Sequence, residues 1–541
     1  MRAPVVRFAV PARAVVAGEL AVLAALVLLT TVGLAPGLPT VGVVVVAAAA
    51  LVSIRIYGHT IPARFLLWVA QRRGYDLKAH VAEPVDIRRG DMLIGVQRDR
   101  VTTTAVIELG GTAYTPTVLT DRRQSVTHNT VPLSVLADQL AQPGPLVLAG
   151  IDIVSAGSRV SGARGYAPVY SAVLAEQPAA GQRRSYAIIR LDMAASMHGL
   201  ALRDSAEDAV AAVAERIVCA LRQRNCRANP LSAAAINNLA NHLAGPLIHG
   251  DTTAYRGFLD NAGRSYWASY YYSPEDITTA NLNEVWSWRI QGAVSTVTIS
   301  PAPSGAVRVG AMVRAETGAA PTSSPAAYLN PIPAQQIRAA ASCVPGAPRL
   351  AGLPTVECTN TADLQIPVGP AGVLVGTVTD CDQQRPVLLP LTDPVHNTRI
   401  RFTSGDSAFL RQVLLRAAAV GHSISVYTDR PEHWAGIEAP LIEIHESAAA
   451  IPATPATIVV KDRADGQPQS SATTIVSLPT DSSYPSGVRP DIEFSQTASN
   501  QVLIRAASLE WVVTPVSFPD ERPYLGLAAP TSDAISVAAT T

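Results

Sequence analysis

The stretch YAIIRLDMAASMHGLALRDSAEDAVAAVAERIVCAL, residues 186–221, joins a strand pattern to the clearest helix pattern of the chain. Residues 186–191 form a short apolar run of the kind found in buried strands. After it, Ser205 stands three residues before Asp208, an arrangement that caps the start of a helix. Apolar side chains then recur at helical spacing, at Val210, Val213, Ile217 and Leu221. This order predicts a layered fold in which helices cover a sheet.

The flanking sequence continues the alternation of strands and helices. Before this stretch, a helix is predicted at 133–140 and strands at 92–96, 101–109, 115–119 and 146–154. After it, a second helix is predicted at 231–243, ending at Gly245-Pro246. Further on come strands at 372–378 and 387–391 and a strand–helix–strand unit at 398–403, 407–420 and 423–428. The expected fold class is α/β, a layered α/β region in two segments.

The composition excludes some classes of function. The 541 residues include 42 basic and 42 acidic side chains, which leaves no net charge. Nucleic-acid binding depends on clustered, uncompensated cations, so no nucleic-acid partner is expected. A hydrophobic fraction of 48% indicates a folded chain. Five cysteines are too few for a disulfide scaffold in a chain of this length.

Only two of the 42 basic residues are lysines, Lys78 and Lys461. A phosphate-binding loop of the Walker type requires Gly-Lys followed by Ser or Thr. Lys78 is followed by Ala79 and Lys461 by Asp462, so neither fits. The nucleophile elbow, the Gly-x-Gly-x-x-Gly dinucleotide loop and the His-Glu-x-x-His zinc helix are also missing from the sequence. The chain is therefore predicted to be no ATPase, to use no cofactor and to be no enzyme of a common class.

The N-terminal part of the chain carries two apolar runs. The first, 14–35, has about the 20 residues that a bilayer-spanning helix needs, and the second begins at residue 40. Between them, Pro36-Gly37-Leu38-Pro39 breaks the helix. The sequence predicts a two-helix transmembrane hairpin over 1–57, with spans at about 14–35 and 40–56. A buried core hairpin and a cleaved signal peptide are the alternatives.

Basic residues flank the predicted hairpin and determine its orientation. They are Arg2, Arg7 and Arg13 before the first span and Arg55, Arg64, Arg72, Arg73 and Lys78 after the second. The turn between the spans carries no charge. Because Lys and Arg stay on the cytoplasmic side of short flanking loops, both ends are predicted to be cytoplasmic. The expected location is the inner (plasma) membrane, crossed twice, in contact with membrane lipid.

Glu19 is a lone carboxylate in the first span, where burial in lipid is costly. Glu19 and Arg55 each lie 18 residues from Gly37, and therefore at similar depth if the hairpin turns there. Three interpretations stay open: the two side chains pair, each reaches the cytoplasmic headgroups separately, or a partner subunit supplies an opposite charge.

The rest of the chain is divided by its composition. Residues 58–80 are predicted as a basic juxtamembrane connector and 81–316 as a cytoplasmic α/β domain. Prolines mark 317–365 as a linker or long crossover. Residues 366–520 are predicted as a second α/β segment and 521–541 as a disordered tail.

One short motif is a metal candidate. Asp380-Cys381-Asp382 follows a predicted strand, and two such carboxylates can hold a divalent cation against a nucleotide-sugar diphosphate. A turn after a strand favours Asp in any case. Asp380 and Asp382 are therefore weak metal candidates, and a membrane-anchored, metal-dependent glycosyltransferase is the alternative function.

The loop at 404–407 is interpreted as a helix cap, since the charge of Asp406 would repel a bound phosphate.

The aromatic residues are concentrated in one region. The chain is 5% aromatic, yet seven Tyr and Trp residues fall between 266 and 288. Such a cluster forms either a rigid core patch or an interaction surface. The candidate interface residues are Trp267, Tyr270, Tyr271, Tyr272, Trp286 and Trp288.

Several stretches carry a family resemblance. They are GRSYW at 263–267, SPED at 273–276, WSW at 286–288, LLPL at 388–391 and TDRP at 428–431 with Trp434. Together with the two-span hairpin ahead of them, they resemble the EccE family, membrane component E of mycobacterial type VII (ESX) secretion systems.

The resemblance implies a non-catalytic structural subunit that supports assembly or stability of the channel and protein export. It implies a hetero-oligomeric complex with EccB, EccC and EccD, in which the ATPase resides in EccC. It also implies a cytoplasmic domain similar in fold to glycosyltransferases. It supplies no catalytic, cofactor-binding or metal-binding residue.

Overall fold

The computed structural model describes residues 82–526, apart from short gaps, and a few residues ahead of them. The gaps are 100, 122, 163–164, 381–382, 394–395, 404–406, 438, 465–471, 482–483, 485–486, 498–500 and 508, and the earlier described residues are 6–8, 22–23, 41, 54–56 and 59–60. Most of both predicted spans lies outside these residues, as do Arg13, Glu19, Gly37, Arg72 and Arg73. Within the described part of the chain, no helix combines the length and apolarity needed to cross a membrane.

The strands up to residue 260 are β1 (Val6–Phe8), β2 (Ile54–Ile56), β3 (His59–Thr60), β4 (Val85–Arg89), β5 (Met92–Arg98), β6 (Thr102–Gly111), β7 (Thr117–Asp121), β8 (Gln124–Thr127), β9 (Ala141–Gln142), β10 (Leu146–Ser158), β11 (Gln182–Asp192), β12 (Arg227–Pro230), β13 (Thr253–Ala254) and β14 (Leu259–Asp260). The later strands are β15 (Tyr266–Tyr272), β16 (Gly292–Pro301), β17 (Val307–Thr317), β18 (Leu329–Pro331), β19 (Val356–Cys358), β20 (Val373–Asp380), β21 (Gln383–Leu389), β22 (Thr398–Phe402), β23 (Ile424–Thr428), β24 (Ile442–His445), β25 (Ile458–Asp462), β26 (Thr474–Ser477), β27 (Ile492–Gln496), β28 (Val502–Ala506) and β29 (Leu509–Val513).

The α-helices of the described residues are α1 (Leu133–Asp138), α2 (Tyr166–Val173), α3 (Met197–Leu200), α4 (Ala206–Gln223), α5 (Ala233–His249), α6 (Thr279–Glu284), α7 (Gln336–Ala341) and α8 (Ser407–Ala419). Short 3-10 helices lie at Pro274–Asp276, Val285–Ser287, Thr361–Asp363, Pro431–His433 and Pro519–Leu525.

The first strands form a small sheet of their own. β1 pairs antiparallel with β2, with Val6 opposite Ile56, and β2 pairs with β3. Residues 54–56 are therefore extended backbone, at the end of the range predicted for the second span. The hydrogen bonds of β2 go to neighbouring strands, so these residues do not continue a helix. The pairing brings residues that precede the first predicted span against residues at the end of the second.

A large antiparallel sheet forms the centre of the first segment. Its main path is β13-β14-β15-β17-β16-β10-β11-β6-β5-β4. Helix α4 packs on β5, β6 and β11 at one face, and α5 packs on β5 from the other. Successive residues of each strand point to opposite faces, so Ile107, Ile153 and Ile189 join the core beneath α4 while Val106 and Ile188 join the core beneath α5.

The two long helices differ from each other in how well the sequence predicts their ends. Ser205 caps α4 as predicted, since its Oγ accepts a hydrogen bond from the backbone N–H of Asp208 at 3.0 Å. Helix α5 runs through Gly245-Pro246, where an end was predicted. Ala244 is non-helical, with φ −144° and ψ 25°, so the helix kinks and Pro246 falls in the first turn of a new helical piece. A proline there breaks no helical hydrogen bond.

The second segment contains a parallel sheet. Strands β24, β23, β25, β26, β22 and β27 run parallel in that order, and β28 and β29 extend the sheet antiparallel. The predicted strand–helix–strand unit is present as β22, α8 and β23. Its strands are not neighbours, because β25 and β26 lie between them. The fold is thus a mixed α/β fold, with its large antiparallel sheet in the first segment and a smaller antiparallel sheet, β20-β21-β7-β8, built from strands of both segments.

Three predicted boundaries are changed by packing. The Pro-rich segment carries β18, α7 and β19, and Ala339–Ala341 are fully buried. The predicted tail begins too early, because its first residues, 521–525, form a 3-10 helix in which Glu521 is buried. The boundary at 316 does not separate the cores, since Tyr114 and Tyr166 pack into the core of the second segment. Apolar side chains distant in sequence share cores, which local composition does not encode.

Candidate functional site

Among the described residues, arginine and carboxylate side chains meet in several buried places, and the three with the most hydrogen-bond partners are centred on Asp152, Asp462 and Glu521. Each central carboxylate is at most 1% exposed and forms an ion pair with an arginine. A buried carboxylate is tolerated only where opposite charges and hydrogen-bond donors surround it. Each cluster therefore holds together the segments that supply its partners.

The Asp152 cluster joins the central sheet to the Pro-rich segment. Nε of Arg190, on the neighbouring strand β11, donates to Oδ2 of Asp152 at 2.6 Å, and Nε of Arg349 donates to the same oxygen at 3.0 Å. The hydroxyl of Thr298 donates to Oδ1 at 2.8 Å. Arg190 also donates to the carbonyl of Ala347 at 2.6 Å. The Pro-rich segment is thus bound to β11 through Ala347 and to β10 through Arg349.

The surroundings of Asp152 keep it ionised. Burial by itself would raise the pKa of Asp152, but the positive charges of Arg349 and Arg190 outweigh burial and lower this pKa below its usual range. Asp152 is therefore charged at neutral pH, and the two guanidiniums share this one carboxylate.

The Glu521 cluster joins the last 3-10 helix to α8 and α2. Arg416 of α8 donates through Nε to Oε1 of Glu521 at 2.8 Å and through Nη2 to Oε2 at 2.9 Å. Gln412 donates to Oε2 at 2.7 Å, and the Tyr166 hydroxyl donates to Oε1. Burial opposes ionisation of Glu521, but the hydrogen bonds and charge of Arg416 lower its pKa. A residue predicted to lie in a disordered tail is thus part of the core.

The Asp462 cluster lies at the carboxyl edge of the parallel sheet. Asp462 ends β25 and accepts hydrogen bonds from the Thr428 hydroxyl at 2.9 Å and from Nε1 of Trp434 at 2.8 Å. The hydroxyl of Thr480 donates at 2.9 Å, and Arg430 forms an ion pair with the same carboxylate. The motif TDRP with Trp434, which carries part of the family resemblance, therefore has a structural reason: three of its side chains bind one buried carboxylate.

The aromatic segment lies mainly in the core. Trp267 and Tyr270–Tyr272 belong to β15, a strand that the sequence patterns did not predict. Five of the six candidate interface residues are buried, namely Trp267, Tyr270, Tyr272, Trp286 and Trp288, and Tyr271 is half-buried. The ring of Trp267 stacks on the buried guanidinium of Arg314, whose Cζ lies 3.9 Å from the ring centroid. As placed here, these rings stabilise the fold, and an interface through them stays a prediction.

Of the two metal candidates, only Asp380 lies among the described residues. Asp380 ends β20 at a hairpin to β21 and pairs with Arg385 at 2.9 Å, while Asp382 lies outside the described residues. Across the described part of the chain, three or more His, Cys, Asp or Glu side chains do not gather in a group that could hold a metal ion.

Sequence reasoning missed all three central carboxylates. Asp152 and Arg190 are lone charges in otherwise apolar strand patterns. Because a buried charge needs a partner, this pattern could have predicted a buried ion pair. Asp462 and Glu521 give no comparable signal, since their partners Arg430 and Arg416 lie in polar or helical contexts far from them in sequence.

Comparison with known proteins identifies the relatives of this chain. Residues 179–268 match the family model described as "type VII ESX secretion system translocon, EccE". The chain is 26% identical over 503 residues to the ESX-2 secretion system protein EccE2 of Mycobacterium tuberculosis, covering 89% of this chain and 91% of that protein. It is 28% identical over 394 residues to the ESX-1 secretion system protein EccE1 of the same species, covering 71% and 75%. The ESX-5 secretion system protein EccE5 of Mycobacterium marinum matches at 28% identity over 30% of this chain and 42% of its own length. The resemblance found in the sequence is thereby confirmed.

Substitution of Asp152 by Asn tests the buried cluster. Asp152→Asn leaves two guanidiniums near an uncharged amide, so we expect unfolding to become easier by about 3–5 kcal/mol. The matched control is Glu108→Gln, which breaks a pair with Arg184, a side chain that is 58% exposed. That change should cost less than about 1 kcal/mol. Urea denaturation followed by tryptophan fluorescence measures both, and equal losses would contradict the assigned role of Asp152.

The pH dependence of stability follows from the lowered pKa values of Asp152 and Glu521. Unfolding returns each carboxyl group to a pKa of about 4, so the unfolded chain binds protons before the folded chain does. The stabilisation is present above pH about 4 and is lost as the pH falls through the lower folded values. Urea midpoints measured between neutral and acidic pH should therefore decline in acid. Glu521→Gln should flatten this decline, and an unchanged pH profile in that variant would refute the contribution of Glu521.

Proposed function

We propose that this chain, which belongs to the EccE family, is a non-catalytic structural subunit of a type VII secretion complex that supports assembly or stability of the channel. The observation that carries this proposal is the similarity to EccE2, an ESX-2 secretion system protein, over 89% of this chain and 91% of the relative. Similarity along nearly the whole of both chains favours a common role for the whole protein.

The buried clusters are consistent with a structural role. Asp152, Asp462 and Glu521 each connect segments far apart in sequence, as from Asp152 to Arg349 and from Tyr166 to Glu521. A conformation in which one partner of such a cluster moved away would leave an unpaired charge in the interior. Conformations of this kind are therefore disfavoured. Such a fold presents a fixed surface to its neighbours, as a subunit of a multi-protein complex requires.

We place this subunit in the inner membrane through the predicted two-span hairpin, with both ends in the cytoplasm. The distribution of arginines around residues 1–57 supports this orientation. The backbone pairing of β1 with β2 is consistent with it, because residues ahead of the first span lie beside residues at the end of the second. The partners proposed are EccB, EccC and EccD, together with membrane lipid.

Cysteine labelling tests the membrane orientation. Gly37→Cys places a thiol in the predicted external turn, so a membrane-impermeant maleimide should label it in spheroplasts. The natural Cys219 is exposed on α4 and should react only after permeabilisation. Mass spectrometry of the labelled peptides distinguishes the two sites. Labelling of Cys219 in intact spheroplasts would contradict a cytoplasmic body.

Co-purification tests the role as a subunit. The tagged full-length chain, extracted in mild detergent, should bring down EccB, EccC and EccD, identified by mass spectrometry. The double variant Asp380→Ala with Asp382→Ala should bring down the same proteins and support the same level of secretion. Recovery of the chain without these partners would refute the proposal. So would loss of secretion in the double variant with assembly intact, because that result favours an enzyme.

A further inference from the structure

A cleft opens where the ends of β6, β11 and β12 meet the loops at 369–370 and 390–393. It is lined by three basic side chains, Arg183, Arg184 and Arg227, and two acidic ones, Glu108 and Asp393, together with Gly110, Thr112, Tyr114, Asn129, Gly369 and Thr392. Strand pairing produces this grouping, because β6 lies between β11 and β12 and brings their arginines to the same end of the sheet. The lining side chains carry one more positive than negative charge.

Two of the three arginines are neutralised within the chain. Nη2 of Arg184 lies 2.7 Å from a carboxylate oxygen of Glu108. Arg227 forms an ion pair with the buried carboxylate of Asp393. Arg227 also donates through Nη2 to the carbonyl oxygen of Gly110 at 3.3 Å, which places its guanidinium against the wall of the cleft.

Arg183 is the arginine whose charge is left over. Its side chain is 5% exposed, and its Nε donates to the carbonyl oxygen of Gly369 at 2.7 Å. Among the described residues, neither Nη group of Arg183 has an acceptor and no carboxylate forms an ion pair with it. One side of the guanidinium faces the Trp286 ring, whose centroid lies 5.2 Å from Cζ. Burial alone lowers the pKa of Arg183 to about 9, which is consistent with a cation that lacks an anionic neighbour.

Hydrogen bonds to two neighbouring backbone carbonyls hold Arg183 and Arg227 beside the same part of the cleft. Gly369 accepts from Arg183 and Gly110 accepts from Arg227. These two glycines face each other closely, since a Cβ built on Gly369 would lie 3.9 Å from the carbonyl oxygen of Gly110. Gly369 has a φ of +69°, a conformation that disfavours a larger residue there. The cleft therefore stays open beside the unpaired guanidinium.

Other buried arginines of this chain show that the arrangement at Arg183 is not the usual one. Arg159 is 3% exposed and likewise lacks a carboxylate partner among the described residues. Both of its Nη groups, however, donate to backbone carbonyls, those of Ser287 and Ala175, at 2.7 Å each. Both Nη groups of Arg159 thus have acceptors, although its buried Nε has none, whereas neither Nη group of Arg183 has an acceptor among the described residues.

We propose that this cleft binds a phosphate group, free or as the ester of a lipid headgroup, with Arg183 as its principal ligand. A guanidinium with two free Nη groups matches the oxygens of a phosphate with paired hydrogen bonds. The single uncompensated positive charge suits one bound anion. The site follows from the geometry of the cleft and does not depend on the proposed role in secretion.

Phosphate titration of the full-length chain in detergent tests the site. Inorganic phosphate should raise the unfolding temperature of the unmodified chain, compared with chloride at equal ionic strength. Arg183→Met keeps an unbranched apolar stem and removes the guanidinium with its charge and donors, so phosphate should bind at least about ten-fold more weakly. The matched control is Arg159→Met, which also removes a buried guanidinium but should retain the phosphate response.

Vesicles distinguish the two sources of the phosphate group. Tighter binding to phosphatidylglycerol vesicles than to phosphatidylcholine vesicles, lost in Arg183→Met, would assign the site to a lipid headgroup. A response to inorganic phosphate, with vesicle binding unaffected by Arg183→Met, would assign it to free phosphate. The proposal is overturned if phosphate gives no shift at millimolar concentration. It is equally overturned if Arg183→Met responds like the unmodified chain, or if Arg159→Met loses the response to the same extent.

Discussion

The interior of this protein depends on the neutralisation of buried arginine. A guanidinium is always charged and is costly to bury without an anion or several acceptors. The fold meets this requirement by placing Asp152 between Arg190 and Arg349, and Glu521 against Arg416. Each contact joins segments far apart in sequence, so the same interactions that neutralise charge also decide which segments lie together.

This constraint explains the most unexpected parts of the fold. A proline-rich segment would be a flexible linker if judged by composition, but Arg349 and the carbonyl of Ala347 attach it to the central sheet. A small polar C-terminus would be a disordered tail, but Glu521 attaches its first residues to α8. The two attachments make the body of the chain one connected scaffold, which is the property expected of a structural subunit.

The arginines also divide into two functional groups. Other buried guanidiniums have acceptors within the fold, a carboxylate at Arg416 and backbone carbonyls for both Nη groups of Arg159. Arg183 keeps donors that face a cleft and so offers an anion a place to bind. A chain without net charge can therefore still carry a local site for a negative group, because attraction at short range depends on individual pairs and not on the sum over the chain.

Local sequence patterns were enough to predict several helices and strands and the resemblance to the EccE family. The cap at Ser205, the helix it starts and the strands β5, β6, β7, β10 and β11 follow from spacing and propensity, which act over a few residues. Tertiary structure alone decided the antiparallel sheet, the insertion of β25 and β26 between β22 and β23, and the burial of Trp267. It also decided which carboxylate meets which arginine. These features depend on contacts between residues from about thirty to about two hundred positions apart, as from Asp152 to Arg190 and from Asp152 to Arg349. The free energy of such a contact is set by burial and geometry, which no local pattern records.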